Sequence, residues 1–136
     1  MEQQVIQHMG LLEFVPKSSI IVISKGRVIN IPITTITHIS KYGSNTIIYT
    51  TKESHSTFLS LQELLNDLPV NEFFRIHRSH IMALGFMNGF KKKKVCVGQY
   101  LLPISKYYKT QVIKSLQSFL DKEIEFFYEP GKNESQ

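Results

Sequence analysis

The sequence predicts a mainly β domain with one short helix in its middle and a second helix near its C-terminus. Short runs rich in β-branched residues, separated by turn residues, recur between residues 19 and 59. The apolar period changes from two to nearly four at residues 61–68 and again at residues 105–120. No strand–helix–strand unit of about 30 residues repeats along the chain, which argues against a doubly wound parallel sheet.

Length and composition are those of one globular domain. The chain has 136 residues, of which 42% are hydrophobic, enough for a core. Its apolar runs are far shorter than the roughly 20 residues that span a bilayer, and its start lacks the pattern of a signal peptide. The single cysteine, Cys96, excludes an internal disulfide or a multi-cysteine zinc site. We therefore expect a cytoplasmic protein without membrane attachment.

The strands predicted before the first helix follow the short apolar runs. They cover residues 20–23, 28–33, 36–40, 46–51 and 57–59. Residues 24–27 form a turn, and Pro32 places the second strand at a sheet edge or a strand end because proline donates no ladder hydrogen bond. Residues 42–45 form a loop. The preceding residues 1–18 are expected to form an N-terminal arm or an extra strand.

The central helix has clear start and stop signals. Its leucines recur at helical spacing and are Leu61, Leu64, Leu65 and Leu68. Ser60 and Glu63 are spaced as a capping box, in which the serine hydroxyl accepts a hydrogen bond from an unpaired amide at the helix start. Pro69 ends the helix.

The second half of the chain is predicted to return to strands before the last helix. The segment at 73–81 leads into residues 82–86, and further strands lie at 91–97 and 100–104, after turns at Asn88-Gly89 and Gly98-Gln99. The helix over 105–120 carries an apolar stripe of Tyr108, Val112, Leu116 and Leu120, widened by Ile113 and Phe119.

The C-terminal extension, residues 123–136, is expected to be frayed at its end. Its apolar segment at 124–128 is predicted to cover an edge of the fold or to mediate self-association, with an extra strand as the alternative.

The charge distribution is uneven. The net charge is +5, but residues 73–120 contain nine basic residues and no acidic one, while the rest of the chain sums to −4. A solvated basic surface would normally intersperse glutamate among its lysines. A 48-residue stretch without a carboxylate therefore indicates a surface for a polyanion.

Catalytic and metal-binding patterns are weak. The chain has two aspartates, Asp67 and Asp121, both at predicted helix ends, and no nucleophile elbow or phosphate-binding loop. In a continuous strand, His77 and His80 would point to opposite faces and could not share an ion. We therefore interpret the chain as a protein that is not an enzyme and that carries no metal or other cofactor.

The densest polar cluster lies at residues 75–80. Arginine forks match phosphate oxygens or the guanine edge, and serine and histidine can donate to phosphate. A bend in this segment would bring Arg75, Arg78 and the Ser79 hydroxyl together. The alternative is an internal ion pair of an arginine with Glu72 or Glu63.

The segment FRIHRSHI at 74–81 resembles the signature of the LytTR family, the non-helical DNA-binding domain of many bacterial two-component response regulators. Three further segments resemble the same family in the same order. They are the strand–loop–strand at 36–47, the helix SLQELLNDLP at 60–69, and the closing motif LPISKYY at 102–108. The resemblance covers roughly residues 19–120 and indicates a LytTR-like domain over 19–122.

The resemblance implies an elongated arrangement of small antiparallel sheets that reads the major groove with loops and contacts phosphates with lysines. It implies a transcriptional regulator that binds and bends double-stranded DNA at paired direct repeats, with self-association on DNA as a further expectation. The DNA-binding residues predicted from the motifs and the basic segments are Lys41, Ser44, Asn45, Arg75, His77, Arg78, Ser79, Lys91, Lys92, Lys93, Lys94, Lys106, Tyr108 and Lys109.

The sequence departs from the family pattern at three positions. His80 replaces an aromatic residue, Ala83 replaces an asparagine, and Lys106 replaces an arginine, which exchanges a two-pronged donor for a point charge. The length also leaves no room for an N-terminal receiver domain, so the usual phosphorylation switch is not expected within this chain and the regulatory input stays open. The alternative functions are an RNA-binding module and a protein-interaction domain with a basic face.

Overall fold

A computed structural model describes residues 18–127 of the chain. The predicted arm, apart from Ser18, and the end of the C-terminal extension lie outside these residues. Within them the strands are β1 (Ser19–Ser24), β2 (Arg27–Pro32), β3 (Ile36–Tyr42), β4 (Asn45–Thr50), β5 (Ser54–Thr57), β6 (Phe73–His77), β7 (His80–Ala83), β8 (Met87–Lys91), β9 (Lys94–Val97) and β10 (Tyr100–Pro103). The helices are α1 (Leu61–Asp67) and α2 (Lys106–Phe127), and short 3₁₀ turns at Ile33–Thr35 and Leu84–Phe86 precede β3 and β8.

The described strands form three antiparallel sheets. The central sheet has five strands in the order β5-β4-β3-β7-β6, while β1 pairs only with β2, and β8, β9 and β10 form a three-stranded sheet. The prediction of a mainly β fold of small antiparallel sheets with two helices is confirmed. None of the described helices has the length and apolar character needed to cross a membrane.

Two hydrophobic cores lie on opposite faces of the central sheet. One core joins that sheet to the β1–β2 hairpin and α1, and its buried members include Ile20, Ile31, Ile39, Ile48, Leu61, Leu64 and Ile81. The other joins it to the three-stranded sheet and α2 through Ile76, Met82, Val95, Val97, Leu102 and Val112. Successive strand residues point to opposite faces, so the neighbours Ile81 and Met82 are both fully buried but belong to different cores.

Helix α1 begins and ends where its sequence signals predict. The Ser60 hydroxyl accepts a hydrogen bond from the Glu63 amide at 3.0 Å, which satisfies one free donor of the first turn. Leu61 and Leu64 are buried against the central sheet, as is Leu68 directly after the helix. The cap and the apolar face therefore fix the helix in place.

The fifth strand lies earlier than predicted. The Thr50 hydroxyl accepts from the Lys52 and Glu53 amides and donates to the Glu53 carbonyl oxygen, which closes a tight turn after β4. Pairing resumes at once, with Ser54 opposite Tyr49. The strand therefore covers Ser54–Thr57, and the prediction of residues 57–59 is wrong.

The Asn88-Gly89 pair lies inside a strand and not in a turn, so that prediction is wrong. It forms a bulge in β8 at which the register with β9 shifts, and the Asn88 side chain donates to the Gly98 carbonyl oxygen at 3.1 Å. The turn of this hairpin is Lys92-Lys93 instead.

Helix α2 continues to Phe127, seven residues past its predicted end at Leu120. The alternative of an extra strand at 124–128 is wrong for residues 124–127, which are helical. Residue 128 lies outside the described residues.

Candidate nucleic-acid interface

Apart from Arg75, the predicted contact residues lie on four segments that hydrogen bonds join in series. The Lys41 amide at the end of β3 donates to the Ser79 carbonyl oxygen in the β6–β7 turn, at 2.9 Å. The Ser105 amide before α2 donates to the Ile76 carbonyl oxygen at 2.9 Å, and the Ile104 amide donates to that of Lys93 at 3.0 Å. We call the row formed by residues 41–45, 77–79, 91–94 and 105–109 the basic edge.

The β3–β4 turn is the first segment of the basic edge. Tyr42 pairs with Asn45, so Gly43 and Ser44 form a two-residue turn, with Gly43 in the left-handed region at φ +62°. Lys41, Ser44 and Asn45 are exposed. Because the turn is bonded to the next hairpin through Lys41, its polar tip has a fixed position in the row.

The β6–β7 turn presents Arg78 and uses Arg75 to hold its shape. His77 pairs with His80, so Arg78 and Ser79 form the turn itself. The Arg75 guanidinium donates to the carbonyl oxygens of His77 at 2.9 Å and of Arg78 at 2.5 Å. Among the described residues neither arginine forms an ion pair with Glu72 or Glu63. Arg78 is exposed, so its guanidinium can reach a ligand, whereas Arg75 is half-buried and bonded within the protein.

His77 and His80 lie side by side, which corrects the prediction that they point to opposite faces. The two-residue turn makes them cross-strand partners, and their ring centroids are 5.3 Å apart. The Ser79 amide donates to His77 Nδ1 at 3.1 Å, so the proton of the neutral His77 ring lies on Nε2. Ser79 itself is half-buried.

A chain of histidines runs from the turn into the second core. His80 Nδ1 lies 2.6 Å from the Ser40 hydroxyl, and the His38 ring stacks on Tyr49 with centroids 4.3 Å apart. Burial, and then the neighbouring His80, lower the pKa of His38 to about 4. Burial, and then His77, lower the pKa of His80. Both rings are therefore neutral at pH 7. Among the described residues, no group of three histidine, cysteine, aspartate or glutamate side chains lies close enough together to hold a metal ion.

The β8–β9 turn carries four consecutive exposed lysines, Lys91 to Lys94. Lys92 adopts a left-handed backbone at φ 59°, and Lys91 pairs with Lys94 below the turn. The ammonium of Lys109 lies 3.5 Å from the Lys92 carbonyl oxygen and 5.1 Å from the Phe90 ring centroid. Lys109 is thus half-buried and joins α2 to the turn, while the four turn lysines extend into solvent.

The first turn of α2 is the last segment of the basic edge. The Ser105 hydroxyl accepts from the Tyr108 amide at 3.3 Å, which caps the helix. Lys106 is exposed and Tyr108 is half-buried. Lys106 therefore offers a cation next to the β6 segment, to which Ser105 is bonded.

The structure also brings together two turns that the sequence analysis did not connect. Lys25 and Gly26 of the β1–β2 turn line one depression with Asn45 and Phe58, of about 190 Å³. Nothing local in the sequence signals this contact, since β1 and β4 are in different sheets.

Comparisons with known proteins agree with this architecture. A family model described as the LytTr DNA-binding domain matches residues 26–117. A solved structure of the LytTr DNA-binding domain from a Bacillus cereus protein, described as a methyl-accepting/DNA response regulator, is similar with a TM-score of 0.62 and 20% identity. The similarity covers 74% of this chain and 98% of that chain, and at this identity it shows a shared fold. Comparison with curated proteins gives no match.

Proposed function

Because this chain belongs to the LytTR family of DNA-binding domains, we propose that it regulates transcription by binding double-stranded DNA sequence-specifically through its basic edge. The single observation that supports this most is the series of hydrogen bonds that joins four cation-bearing segments into one row. Because hydrogen bonds already hold the four segments of the basic edge in place, they need not become ordered when a duplex binds. This lowers the entropic cost of binding.

The segments differ in what they can recognise. Arg78 is an exposed fork at the tip of a turn that Arg75 holds, so it can bond both acceptors of a guanine edge in the major groove. Asn45, exposed at the β3–β4 turn, can pair in the same way with adenine. These two residues are proposed to read bases.

The lysines are proposed to contact phosphates. An ammonium is a point charge on a flexible stem and attracts phosphate oxygens without regard to sequence. The exposed members of this group are Lys41, Lys91, Lys92, Lys93 and Lys94, whereas the exposed Lys106 is the intermediate case, because the arginine usual in the family at its position would read bases better. His77 Nε2, Ser44 and Ser79 can add neutral donors, while Tyr108 and Lys109 position the start of α2.

Duplex DNA fits this chain better than single-stranded RNA. Single-strand readers stack bases on exposed aromatic side chains. Here Phe73 is buried in the first core, and Phe74 and Phe86 pack against the cores. These three side chains therefore form no stacking platform, and the exposed Tyr42 and Tyr107 lie on different segments of the basic edge.

Paired sites and self-association follow as further proposals. One row of four segments contacts a limited stretch of duplex, so two copies on adjacent direct repeats would double the base contacts. A cytoplasmic location belongs to the same proposal.

Selection of duplexes from a random pool, followed by competition, tests the function. We expect one enriched motif, and we expect random duplex, single-stranded DNA and RNA of equal length to compete poorly. For about 4–6 neutralised phosphates, log K should fall with log salt with a slope of roughly −4 to −5. Equal competition by all nucleic acids would contradict specific recognition, and a slope near zero would contradict the basic edge as the contact surface.

A further inference from the structure

The β1–β2 turn lies beside the Asn45 end of the basic edge. Lys25 and Gly26 line the same depression as Asn45, together with the exposed Phe58. Ser24 pairs with Arg27 across the hairpin, so Lys25 and Gly26 are the two turn residues and Arg27 begins the return strand. A fifth cation-bearing segment, the β1–β2 turn, therefore lies next to the Asn45 end of the basic edge.

The first residue of this turn has the same left-handed backbone as the first residue of the lysine turn in the basic edge, whereas the second residues differ, since Gly26 has φ 77° and Lys93 has no positive φ. Lys25 has φ 52° and Lys92 has φ 59°, and in the described part of the chain they are the only residues other than glycine with positive φ. Two-residue turns of this kind favour asparagine, aspartate or glycine at such positions. Both hairpins nevertheless place a lysine there, and strained positions of this sort cluster at functional sites.

The cations of this turn are available to a ligand. Lys25 and Arg27 are exposed, and within residues 18–127 neither side chain forms a hydrogen bond or an ion pair. The acidic residue that shares a groove with them, Glu53, lies at the other end of β5 and its carboxylate is 3.5 Å from His55 Nε2. Among residues 18–127 no carboxylate therefore pairs with the cations of this turn.

We propose that the β1–β2 turn is an additional phosphate-binding element, in which Lys25 and Arg27 contact the DNA backbone next to the bases that Asn45 faces. The inference rests on the proposed function and extends the contact surface beyond the four segments of the basic edge. The ligand chemistry is that of duplex phosphates, because the turn offers two cations and no side-chain acceptor.

The test compares wild type with Lys25→Asn on the duplex selected by the full chain. Asparagine tolerates the left-handed backbone, so this variant removes the charge and keeps the turn. We expect binding at about 0.1 M salt to weaken roughly five- to tenfold, the salt slope to fall by about one, and Lys25→Arg to bind like wild type. Lys52→Ala is the matched control, since Lys52 is an exposed lysine in the β4–β5 turn, beyond the end of β4 opposite to Asn45.

Trimming the duplex locates the contact. As base pairs are removed from one end of the site, the affinities of wild type and Lys25→Asn should become equal, while trimming from the other end should leave their ratio unchanged. A ratio that does not depend on trimming at either end, or an effect no larger than that of Lys52→Ala, would overturn the inference.

Arg78→Ala distinguishes this inference from the proposed function. If Arg78→Ala abolishes preference for the selected duplex while Lys25→Asn has no effect, the inference on the β1–β2 turn fails and the proposed function stands. If the full chain selects no duplex at all, the proposed function itself fails and the inference fails with it.

Discussion

Arg75 donates a hydrogen bond from its guanidinium to the carbonyl oxygen of Arg78 at 2.5 Å. The first arginine of the segment thus shapes the turn that presents the second. The second bond of Arg75, to the His77 carbonyl oxygen, holds the other side of the same turn. Residue 75 is therefore a positioning residue, although the sequence favours it equally as a DNA contact.

Arg75→Ala should weaken binding to the selected duplex by about tenfold or more while leaving the salt slope unchanged. The reason is that the turn loses two hydrogen bonds, each worth about 1–3 kcal/mol for a charged donor, whereas no phosphate contact is removed. Binding titrations at several salt concentrations measure both quantities. A slope that falls by about one would show instead that Arg75 contacts a phosphate.

Arg78→Ala should reduce the preference for the selected duplex, whereas Lys92→Ala should reduce affinity for any duplex. Arg78→Ala should weaken the selected duplex by about 1–3 kcal/mol more than random duplex and relax preference at one or two base pairs. Lys92→Ala should weaken both duplexes equally and reduce the salt slope by about one. Repeating the selection with each variant checks this. Equal losses on both duplexes for Arg78→Ala would make that residue a phosphate contact and leave base reading to Asn45 and Lys106.

The buried face of α2 should contribute to the stability of the fold. Val112 is 1% exposed in the second core, and Leu116 is half-buried against it. Leu116→Ala should lower the free energy of unfolding by about 2 kcal/mol, the low end of the range for buried leucines, because part of the side chain already contacts water. Ile113→Ala, at 37% exposure, is the matched control and should cost far less. Denaturant unfolding gives both values, and equal losses would show that the helix does not pack as described.

The free energy of unfolding should decrease as the pH is lowered, because of His38. Its pKa is about 4 when folded and about 6.5 when unfolded, so below pH 6.5 the unfolded chain binds the proton more readily. The free energy of unfolding should decrease from pH 6.5 toward pH 4 by roughly 2–3 kcal/mol from this residue. His38→Phe keeps a ring against Tyr49 and cannot titrate, so its stability should depend less on pH over this range. Identical pH profiles would contradict the prediction.

Much of the fold could be predicted because its signals are local. The cap at Ser60, the leucines of α1 and the β-branched runs of β1 to β4 each depend on neighbours in sequence. The residues of β5 are polar and its position depends on the Thr50 turn, so the sequence pattern does not locate this strand. The Asn88-Gly89 pair does not distinguish a bulge from a turn, because both favour the same residue types.

The candidate site could be predicted as a set of residues but not as an arrangement. The pairing of β3 with β7 joins residues about 40 positions apart, as in the bond between Ser40 and His80. No periodicity reports such a contact, so the sequence could not show that Lys41 adjoins Ser79 or that Lys25 adjoins Asn45. The division between Arg75 and Arg78 also depends on the turn, which only the pairing of His77 with His80 defines.

The consecutive residues Ile81 and Met82 make β7 intolerant of changes in length. Deleting or inserting one residue there would turn each side chain toward the opposite core and also move the Arg78 turn relative to the other turns. The β8–β9 turn lies outside the central sheet, so a change in its length would leave β7 in register and would alter instead the bonds that the Lys93 and Lys92 carbonyl oxygens accept from Ile104 and Lys109. Divergence within this fold should therefore accumulate as variation in the lysine turn, and such variation would change the number of phosphate contacts, and hence affinity, while β7 keeps its length.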